Sequence, residues 1–207
     1  MSGVPLRSGV VGVTGGMGSG KSSVAVLLAE LAGAVYLSAD ALCRGLLEPD
    51  APGWHALRDV FGDRFLLSDG RVDRPGFRQA LFADAALRRT VDSLLHPLAR
   101  EEVGKRIRQQ TGVRQVVEVP LLFEAGWTSD FARVVVVYAD AAICVARLMA
   151  RDRISRDEAH QAMGAQMPLR NKVLLADHVI DNSGSWWETR LQVEQLRRVI
   201  WSHESGE

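Results

Sequence analysis

Apolar residues along the chain form short continuous runs that are separated by segments with helical periodicity. Runs at 10–14, 115–119 and 133–138 are typical of buried strands, and the last of them is rich in valine. Shorter apolar runs at 34–37 and 178–181 predict two further strands. Because strands alternate with helices, we predict an α/β fold of three layers, with a parallel, doubly wound sheet between helices.

Helical patterns fill most of the chain between these strands, at residues 21–32, 141–151, 156–166 and 185–201. The last helix carries several large apolar side chains, namely Trp186, Leu191, Leu196, Val199 and Ile200. We expect these side chains to pack in the core, since large apolar residues are usually buried.

Residues 48–112 differ from the rest because prolines and glycines interrupt them and no strand-like run occurs. Their helical patterns lie at 54–61, 75–82 and 85–110. We therefore predict a helical insertion at 48–112 within a core of residues 1–47 and 113–207. A lid is predicted at about 147–172, where charged residues are frequent.

A glycine-rich segment follows the first strand and leads into the first helix. Residues 15–22, GGMGSGKS, match the phosphate-binding pattern G-x-x-x-x-G-K-[ST]. In that pattern backbone N–H groups at the helix N-terminus bind phosphate, the lysine reaches the β- and γ-phosphates, and the hydroxyl ligates Mg²⁺. The alternative is a glycine-rich turn that binds nothing. We predict a nucleoside triphosphate site formed by Gly16, Met17, Gly18, Ser19, Gly20, Lys21, Ser22 and Ser23, with Ser22 as the metal ligand.

Other motifs favour a small-molecule kinase among the proteins that carry such a loop. The guanine-reading pattern N-K-x-D is missing, since Asn171-Lys172 is followed by Val173 and Leu174. No predicted strand ends in the Asp-Glu pair of motor-like ATPases. A kinase needs a base for the acceptor hydroxyl, and Asp40 follows a strand at the edge where the phosphate loop lies. Its alternative role is an N-cap of the helix predicted from Ala41.

Arg147 and Arg151 are four residues apart and therefore project from one face of a helix. They are candidates for lid arginines that close on the phosphates and act in catalysis with Lys21 and Asp40. The alternative is a solvated helix face with local ion pairs, for example to Asp152.

Composition narrows the range of partners and locations. The 207 residues include 25 basic and 25 acidic side chains, so the formal net charge is zero and we expect neither a nucleic-acid nor a membrane partner. Residues 1–8 lack the pattern of a signal peptide, which predicts a cytoplasmic protein. Cys43 and Cys144 lack metal-ligand spacing and are expected to be reduced thiols. We expect a monomer or a weak oligomer.

Several segments together resemble the dephospho-coenzyme A kinase family. They occur in the family's order and spread over nearly the whole chain, and the P-L-L-F-E and A-D-x-V-I-D-N-S-G stretches are the most diagnostic. The segments are TGGMGSGKS at 14–22, AD at 39–40, VDR at 72–74, LHPL at 95–98, VPLLFE at 119–124, QMP at 166–168 and ADHVIDNSG at 176–184.

The resemblance implies transfer of the γ-phosphoryl group of ATP, with Mg²⁺, to the ribose 3′-hydroxyl of dephospho-coenzyme A. It implies that Asp40 is the base and that the insertion receives the acceptor. His96, Pro120, Leu121 and Phe123 would face the acceptor, and Asn182 and Gly184 would lie near the adenine.

Competing roles remain open for some of these residues. His96-Pro97 is also compatible with a turn that ends a helix, and Pro120 to Phe123 with apolar packing at a strand end. Glu118 could position a Mg²⁺-bound water or serve as an ion-pair partner. Ser38 stands where many relatives have an acid, and Ala162 where many have an arginine. Another small-molecule or nucleoside kinase, or a non-catalytic nucleotide-binding module, are the alternative functions.

Overall fold

The computed structural model describes residues 9–201; residues 1–8, for which no signal peptide is predicted, lie outside this range. The strands are β1 (Val10–Gly15), β2 (Val35–Ser38), β3 (Gln115–Glu118), β4 (Arg133–Tyr138) and β5 (His178–Asp181). The helices are α1 (Lys21–Ala32), α2 (Ala39–Leu46), α3 (Pro52–Phe61), α4 (Arg74–Ala83), α5 (Ala85–Gln109), α6 (Ala141–Asp152), α7 (Arg156–Gly164), α8 (Leu169–Leu174) and α9 (Trp186–Ile200), and Thr128–Asp130 forms a 3-10 turn.

The strands form one parallel sheet in the order β2-β3-β1-β4-β5. β1 lies at the centre, with Val11 paired to Val116 of β3 and to Arg133 of β4. In a parallel sheet every strand ends at the same edge, so the segments that follow β1, β3, β4 and β5 are neighbours. The predicted α/β fold with a parallel sheet is confirmed.

The main apolar core lies between the sheet and the pair α1 and α9. Val13 of β1, Val24 and Leu28 of α1 and Val193 of α9 are all completely buried there. Burial of one such side chain stabilises the fold by about 1.5–3 kcal/mol, so this cluster holds β1 and the start of α1 in place. The phosphate loop at residues 15–22 is therefore anchored at both ends.

The expectation that the apolar side chains of α9 are all buried is wrong for three of them. Trp186, Leu191 and Val199 are 47%, 40% and 59% exposed. Leu196 is buried in the core, and Ile200 packs against it. The reason is geometric, because a helix buries only the side that faces the core, and the buried residues of α9 recur three or four positions apart.

Residues Ala39–Arg106 form a compact unit separate from the unit that contains the sheet. Its own core contains Trp54, Leu57, Phe65, Phe77 and Val91. The rings of Phe65 and Phe77 pack edge to face with centroids 5.0 Å apart, a favourable aromatic arrangement. The predicted division of the chain at residues 48 and 112 stays a prediction.

The helix-terminating role considered for His96-Pro97 is wrong, because α5 continues through Pro97 to Gln109. Proline in a helix gives up one backbone hydrogen bond, a cost of about 3 kcal/mol in a helix interior. Here Val91, Ala99 and Val103 are buried on either side of the exposed Pro97. Burial of residues in both halves of α5 thus outweighs the low helix propensity of Pro97.

None of the helices formed by residues 9–201 is long and apolar enough to cross a membrane. Both cysteines are free, and Cys144 is buried. Burial raises the pKa of the Cys43 thiol to about 11, which keeps it neutral at physiological pH.

Candidate active site at the carboxyl edge of the sheet

The phosphate loop connects β1 directly to α1 and ends in an open helix N-terminus. Gly20 is the N-cap residue, with φ of 84°, and no side chain in the described part of the chain caps α1. The first turn of α1 contains no acidic residue. The first N–H groups of a helix have no intrahelical partner, and the helix dipole adds positive potential there. This end of α1 can therefore bind an anion such as a phosphate group.

Two glycines in the loop allow neighbouring elements to approach its backbone. Gly18 has φ of 77°, and a Cβ at that position would lie 2.5 Å from the carbonyl oxygen of Cys144 in α6. A Cβ on Gly20 would collide with the side-chain amide of Asn182. Just before Gly18, the side chain of Met17 packs against the apolar cluster of α6 and α7. The loop is thus fixed by direct contact of its backbone with α6 and with the segment after β5.

Asn182 and Arg147 bind the outer carbonyl groups of the loop. The side-chain amide of Asn182 donates to the Ser19 carbonyl at 2.7 Å and accepts from Thr189 Oγ1 at 2.9 Å. Arg147 Nη2 donates to the Asn182 carbonyl at 3.0 Å, and its Nη1 lies 3.5 Å from the Gly18 and Ser19 carbonyls. In a trans peptide the C=O and N–H groups point in opposite directions. Bonds to these carbonyls therefore fix the orientation of the peptide groups in the loop, and with it the direction of their N–H groups.

A groove of about 610 Å³ opens above the loop, a size suited to a nucleotide tail. Its wall carries three cationic side chains, and it is lined by Gly18, Gly20, Lys21, Ser22, Ser23, Arg147, Ala150 and Arg151. Lys21 Nζ lies 3.4 Å from the Gly16 carbonyl at the start of the loop. This charge distribution matches a polyphosphate anion.

The two predicted lid arginines have different surroundings. Arg147 is half-buried and bonded to the loop as described, whereas the side chain of Arg151 is 64% exposed. Arg151 forms a bidentate pair with Asp152, with both N–O distances 2.8 Å. The hydrogen bond to Asp152 raises the pKa of Arg151. The local ion pair considered for Arg151 is present, and Arg147 is the arginine that contacts the loop.

Glu118 ends β3 beside the loop and is only 5% exposed. One carboxylate oxygen accepts from Ser22 Oγ and the other from the Tyr36 hydroxyl, both at 2.6 Å. The bond orients the Ser22 hydroxyl, which is the predicted metal ligand. No cluster of three or more His, Cys, Asp or Glu that could hold a metal occurs among residues 9–201.

The turn after β3, residues 120–126 (the β3 turn), combines packing with partly exposed apolar side chains. Leu122 is fully buried and lies against Gly12 of β1. Leu121 and Phe123 are half-buried, and Pro120 accepts a hydrogen bond at its carbonyl from Thr14 Oγ1 at 3.1 Å. The strand-end packing considered for this segment is thus carried by Leu122, while Leu121 and Phe123 keep exposed surface.

Lys172 is the residue at this edge that sequence reasoning missed. Its side chain is 0% exposed, and Nζ lies 2.9 Å both from the Pro120 carbonyl and from Glu124 Oε1. Glu124 also accepts from the Met167 backbone N–H at 3.0 Å. α8 has only six residues, so no helical period in the sequence marks Lys172 as buried.

The remaining predicted residues are placed as follows. Gly184 is exposed in the segment between β5 and α9, just before the capping box formed by Ser185 and Glu188. His96 lies on α5 of the unit 39–106, with Nε2 3.6 Å from Asp92 Oδ1.

Asp40 belongs to the first turn of α2, which begins at Ala39, so the proposed N-cap role for a helix starting at Ala41 is wrong. Asp40 is exposed and lies two residues after Ser38, the last residue of β2. An exposed carboxylate can accept a proton from a bound hydroxyl.

Comparison with known proteins adds evidence from sequence. Residues 9–188 match the family model described as dephospho-CoA kinase. The chain is 38% identical over 201 residues to the dephospho-CoA kinase of Symbiobacterium thermophilum, covering 96% of this chain and 84% of that protein. It is 42% identical over 187 residues to the dephospho-CoA kinase of Carboxydothermus hydrogenoformans, covering 89% and 90%. A crystal structure of a Thermus thermophilus protein superposes with a TM-score of 0.78 at 31% identity, covering 95% of this chain and 98% of that one.

Proposed function

Because this chain belongs to the dephospho-CoA kinase family, we propose that it transfers the γ-phosphoryl group of ATP to the ribose 3′-hydroxyl of dephospho-coenzyme A. The observation that carries the proposal is the uncapped N-terminus of α1, which a glycine-rich loop joins to β1 and which Lys21 adjoins. An ATP tail bound there would be held by backbone N–H groups and by Lys21.

The nucleotide site consists of Gly16 to Ser23 together with the segment after β5. Gly16, Met17, Gly18, Ser19 and Gly20 supply backbone N–H groups, and Lys21, Ser22 and Ser23 begin α1. Asn182 supports the Ser19 carbonyl, and Asn182 and Gly184 would lie near the adenine. Arg147 lies on the loop with its charge directed at the groove, where it would stabilise the transferring phosphoryl group. Arg151 also lines the groove and would stabilise the same group from a more exposed position.

The residues beside the phosphate loop fit a Mg²⁺ ion that arrives with ATP. Hard cations prefer oxygen ligands, and the Ser22 hydroxyl is held by the buried carboxylate of Glu118 at 2.6 Å. Ser22 would ligate the ion, and Glu118 would orient a ligand in its outer shell. When bound, the ion neutralises charge on the β- and γ-phosphates.

Asp40 is the proposed base. The ribose hydroxyl oxygen forms a bond to the γ-phosphorus, the bond from that phosphorus to the β,γ-bridging oxygen breaks, and ADP leaves with the electron pair. The proton of the hydroxyl passes to the Asp40 carboxylate.

The acceptor would contact Pro120, Leu121 and Phe123 of the β3 turn, and the role of His96 as an acceptor contact stays a prediction. Half-buried apolar side chains such as Leu121 and Phe123 can bind an uncharged part of a ligand. A cytoplasmic location and a monomeric or weakly oligomeric state stay predictions, as does the absence of nucleic-acid partners.

The test is ADP release by the purified protein with ATP, magnesium and one acceptor at a time. Dephospho-coenzyme A should support turnover and should yield coenzyme A. Shikimate, gluconate and nucleosides serve as the comparison panel. Turnover with a member of the panel alone would assign another small-molecule acceptor. Nucleotide binding without transfer to any acceptor would indicate a non-catalytic module.

The role of Asp40 is tested by Asp40→Asn, which keeps the shape of the side chain but removes the base. We expect turnover to fall by about 10²–10⁴-fold while ATP affinity is kept, the usual range for a positioned base. Asp63→Asn is the matched control, since Asp63 is an exposed acid in the same unit and its side chain pairs with the exposed Arg58 at 3.2 Å. Unchanged turnover of Asp40→Asn would remove this residue from the reaction.

A further inference from the structure

Lys172 is buried without being part of the groove above the phosphate loop. Lysine is rarely buried unless its charge is paired, because its ammonium group loses hydration. Here the side chain is 0% exposed, and Nζ has a carbonyl partner in Pro120 and a carboxylate partner in Glu124, each at 2.9 Å. Such a buried ion pair contributes little net stability compared with apolar packing. The effect of Lys172 therefore lies in the positions in which it holds its two partners.

The partners of Lys172 belong to different segments of the chain. The Pro120 carbonyl also accepts from Thr14 Oγ1, the last residue but one of β1, at 3.1 Å. Glu124 Oε1 also accepts from the backbone N–H of Met167 at 3.0 Å, in the connection between α7 and α8. The ammonium group of Lys172, a residue of α8, therefore bonds to both the first and the fifth residue of the β3 turn.

The same helix also contacts the phosphate loop. A Cβ on Gly16 would lie 3.5 Å from Leu169 Cδ2, so Leu169 is in van der Waals range of the loop. Leu169 and Lys172 lie on one face of α8, and they reach the phosphate loop and the β3 turn respectively. α8 thus sets the position of the β3 turn relative to the phosphate loop within one unit of the structure.

From this network we propose that Lys172 is a positioning residue for the acceptor. It would hold the backbone at Pro120 and the carboxylate of Glu124 so that Leu121 and Phe123, which lie between them, meet the acceptor at a fixed distance from the bound phosphates. The inference rests on the proposed acceptor role of the β3 turn. It predicts that loss of Lys172 weakens use of the acceptor far more than it weakens nucleotide binding.

The experiment compares Lys172→Met with Lys172→Arg and with the exposed control Lys105→Met. For Lys172→Met we expect the KM for dephospho-coenzyme A to rise about tenfold or more and kcat to fall. The Kd for ATP, measured by titration without acceptor, should stay within about twofold. Lys172→Arg keeps the charge and should recover part of the loss, whereas Lys105→Met should behave like the parent protein.

Glu124→Gln keeps the protein testable if Lys172→Met does not fold. The variant retains the shape of the side chain and the bond from Lys172 to Pro120, but it loses the ion pair. It should raise the KM for the acceptor by a smaller factor than Lys172→Met. A fall in the melting temperature of either variant with unchanged KM and kcat below that temperature would show a purely structural role and overturn the inference. Failure of the parent protein to use dephospho-coenzyme A would instead refute the proposed function.

Discussion

The phosphate loop and the β3 turn follow the neighbouring parallel strands β1 and β3, but their shapes have different origins. The phosphate loop is marked in the sequence by glycines that allow its backbone conformation, with Gly18 and Gly20 at φ of 77° and 84°, although α6 and the segment after β5 also contact it. The β3 turn is held by a side chain from far along the chain, since Lys172 follows Pro120 by 52 residues. The phosphate loop can be predicted from eight consecutive residues, whereas the conformation of the β3 turn depends on contacts with residues distant in the sequence. The two turns should therefore respond differently to substitution.

The largest effect in this comparison is expected for Lys21→Ala. The ammonium group lies at the groove and would contact the phosphates in both the ground state and the transition state. We expect kcat/KM to fall by about 10²–10³-fold, the range for loss of one electrostatic stabiliser, together with weaker ATP binding. Steady-state kinetics and nucleotide titration measure the two effects.

Lys105→Ala is the control for Lys21→Ala, since Lys105 is an exposed lysine on α5. Normal kinetics for Lys21→Ala would show that the loop does not hold the triphosphate. If Lys21→Ala changed only the KM for the acceptor, the phosphate loop would act on the acceptor, and the proposed difference in role between the two turns would be wrong.

An intermediate effect is expected for Arg147→Ala, and a smaller one for Arg151→Ala. Arg147 bonds to the Asn182 carbonyl at 3.0 Å beside the loop, whereas Arg151 is already paired with Asp152. A charge-assisted hydrogen bond is worth about 1.5–3 kcal/mol, so turnover of Arg147→Ala should fall roughly 10–100-fold and more than ATP affinity does. Measurement of kcat and of the Kd for ATP separates the effect on turnover from the effect on ATP binding. Equal losses in both variants would mean that contact with the loop does not distinguish the arginines.

The sequence was sufficient for those parts of the fold that depend on local patterns. β4, β5 and α1 occupy the predicted residues, and β2 is displaced by one residue toward its carboxyl end. A buried parallel strand appears as a continuous apolar run, and a helix start beside a glycine-rich loop has its own signature. The resemblance to the dephospho-CoA kinase family is likewise confirmed.

Features that depend on tertiary packing were not predictable from these patterns. The helix α8 has only six residues, which is too few for a clear helical period. From the sequence alone, Lys172 is therefore expected at the surface, and only its contacts in the structure explain its burial. Trp186 shows the reverse case, since this large apolar residue of α9 stays 47% exposed. Pro97 stays helical because the packing of α5 outweighs the propensity of proline.

The smallest effect is expected for Phe123→Ala in the β3 turn. Phe123 is half-buried between the two points at which Lys172 holds the turn, so truncation removes apolar contact with the acceptor but leaves the backbone anchored. We expect the KM for dephospho-coenzyme A to rise up to about tenfold, which corresponds to about 1.4 kcal/mol. The Kd for ATP should not change, and Phe123→Leu should restore most of the affinity because it keeps apolar bulk. If Phe123→Ala instead weakened ATP binding, the β3 turn would belong to the nucleotide site, and the division of labour between the two turns would be wrong.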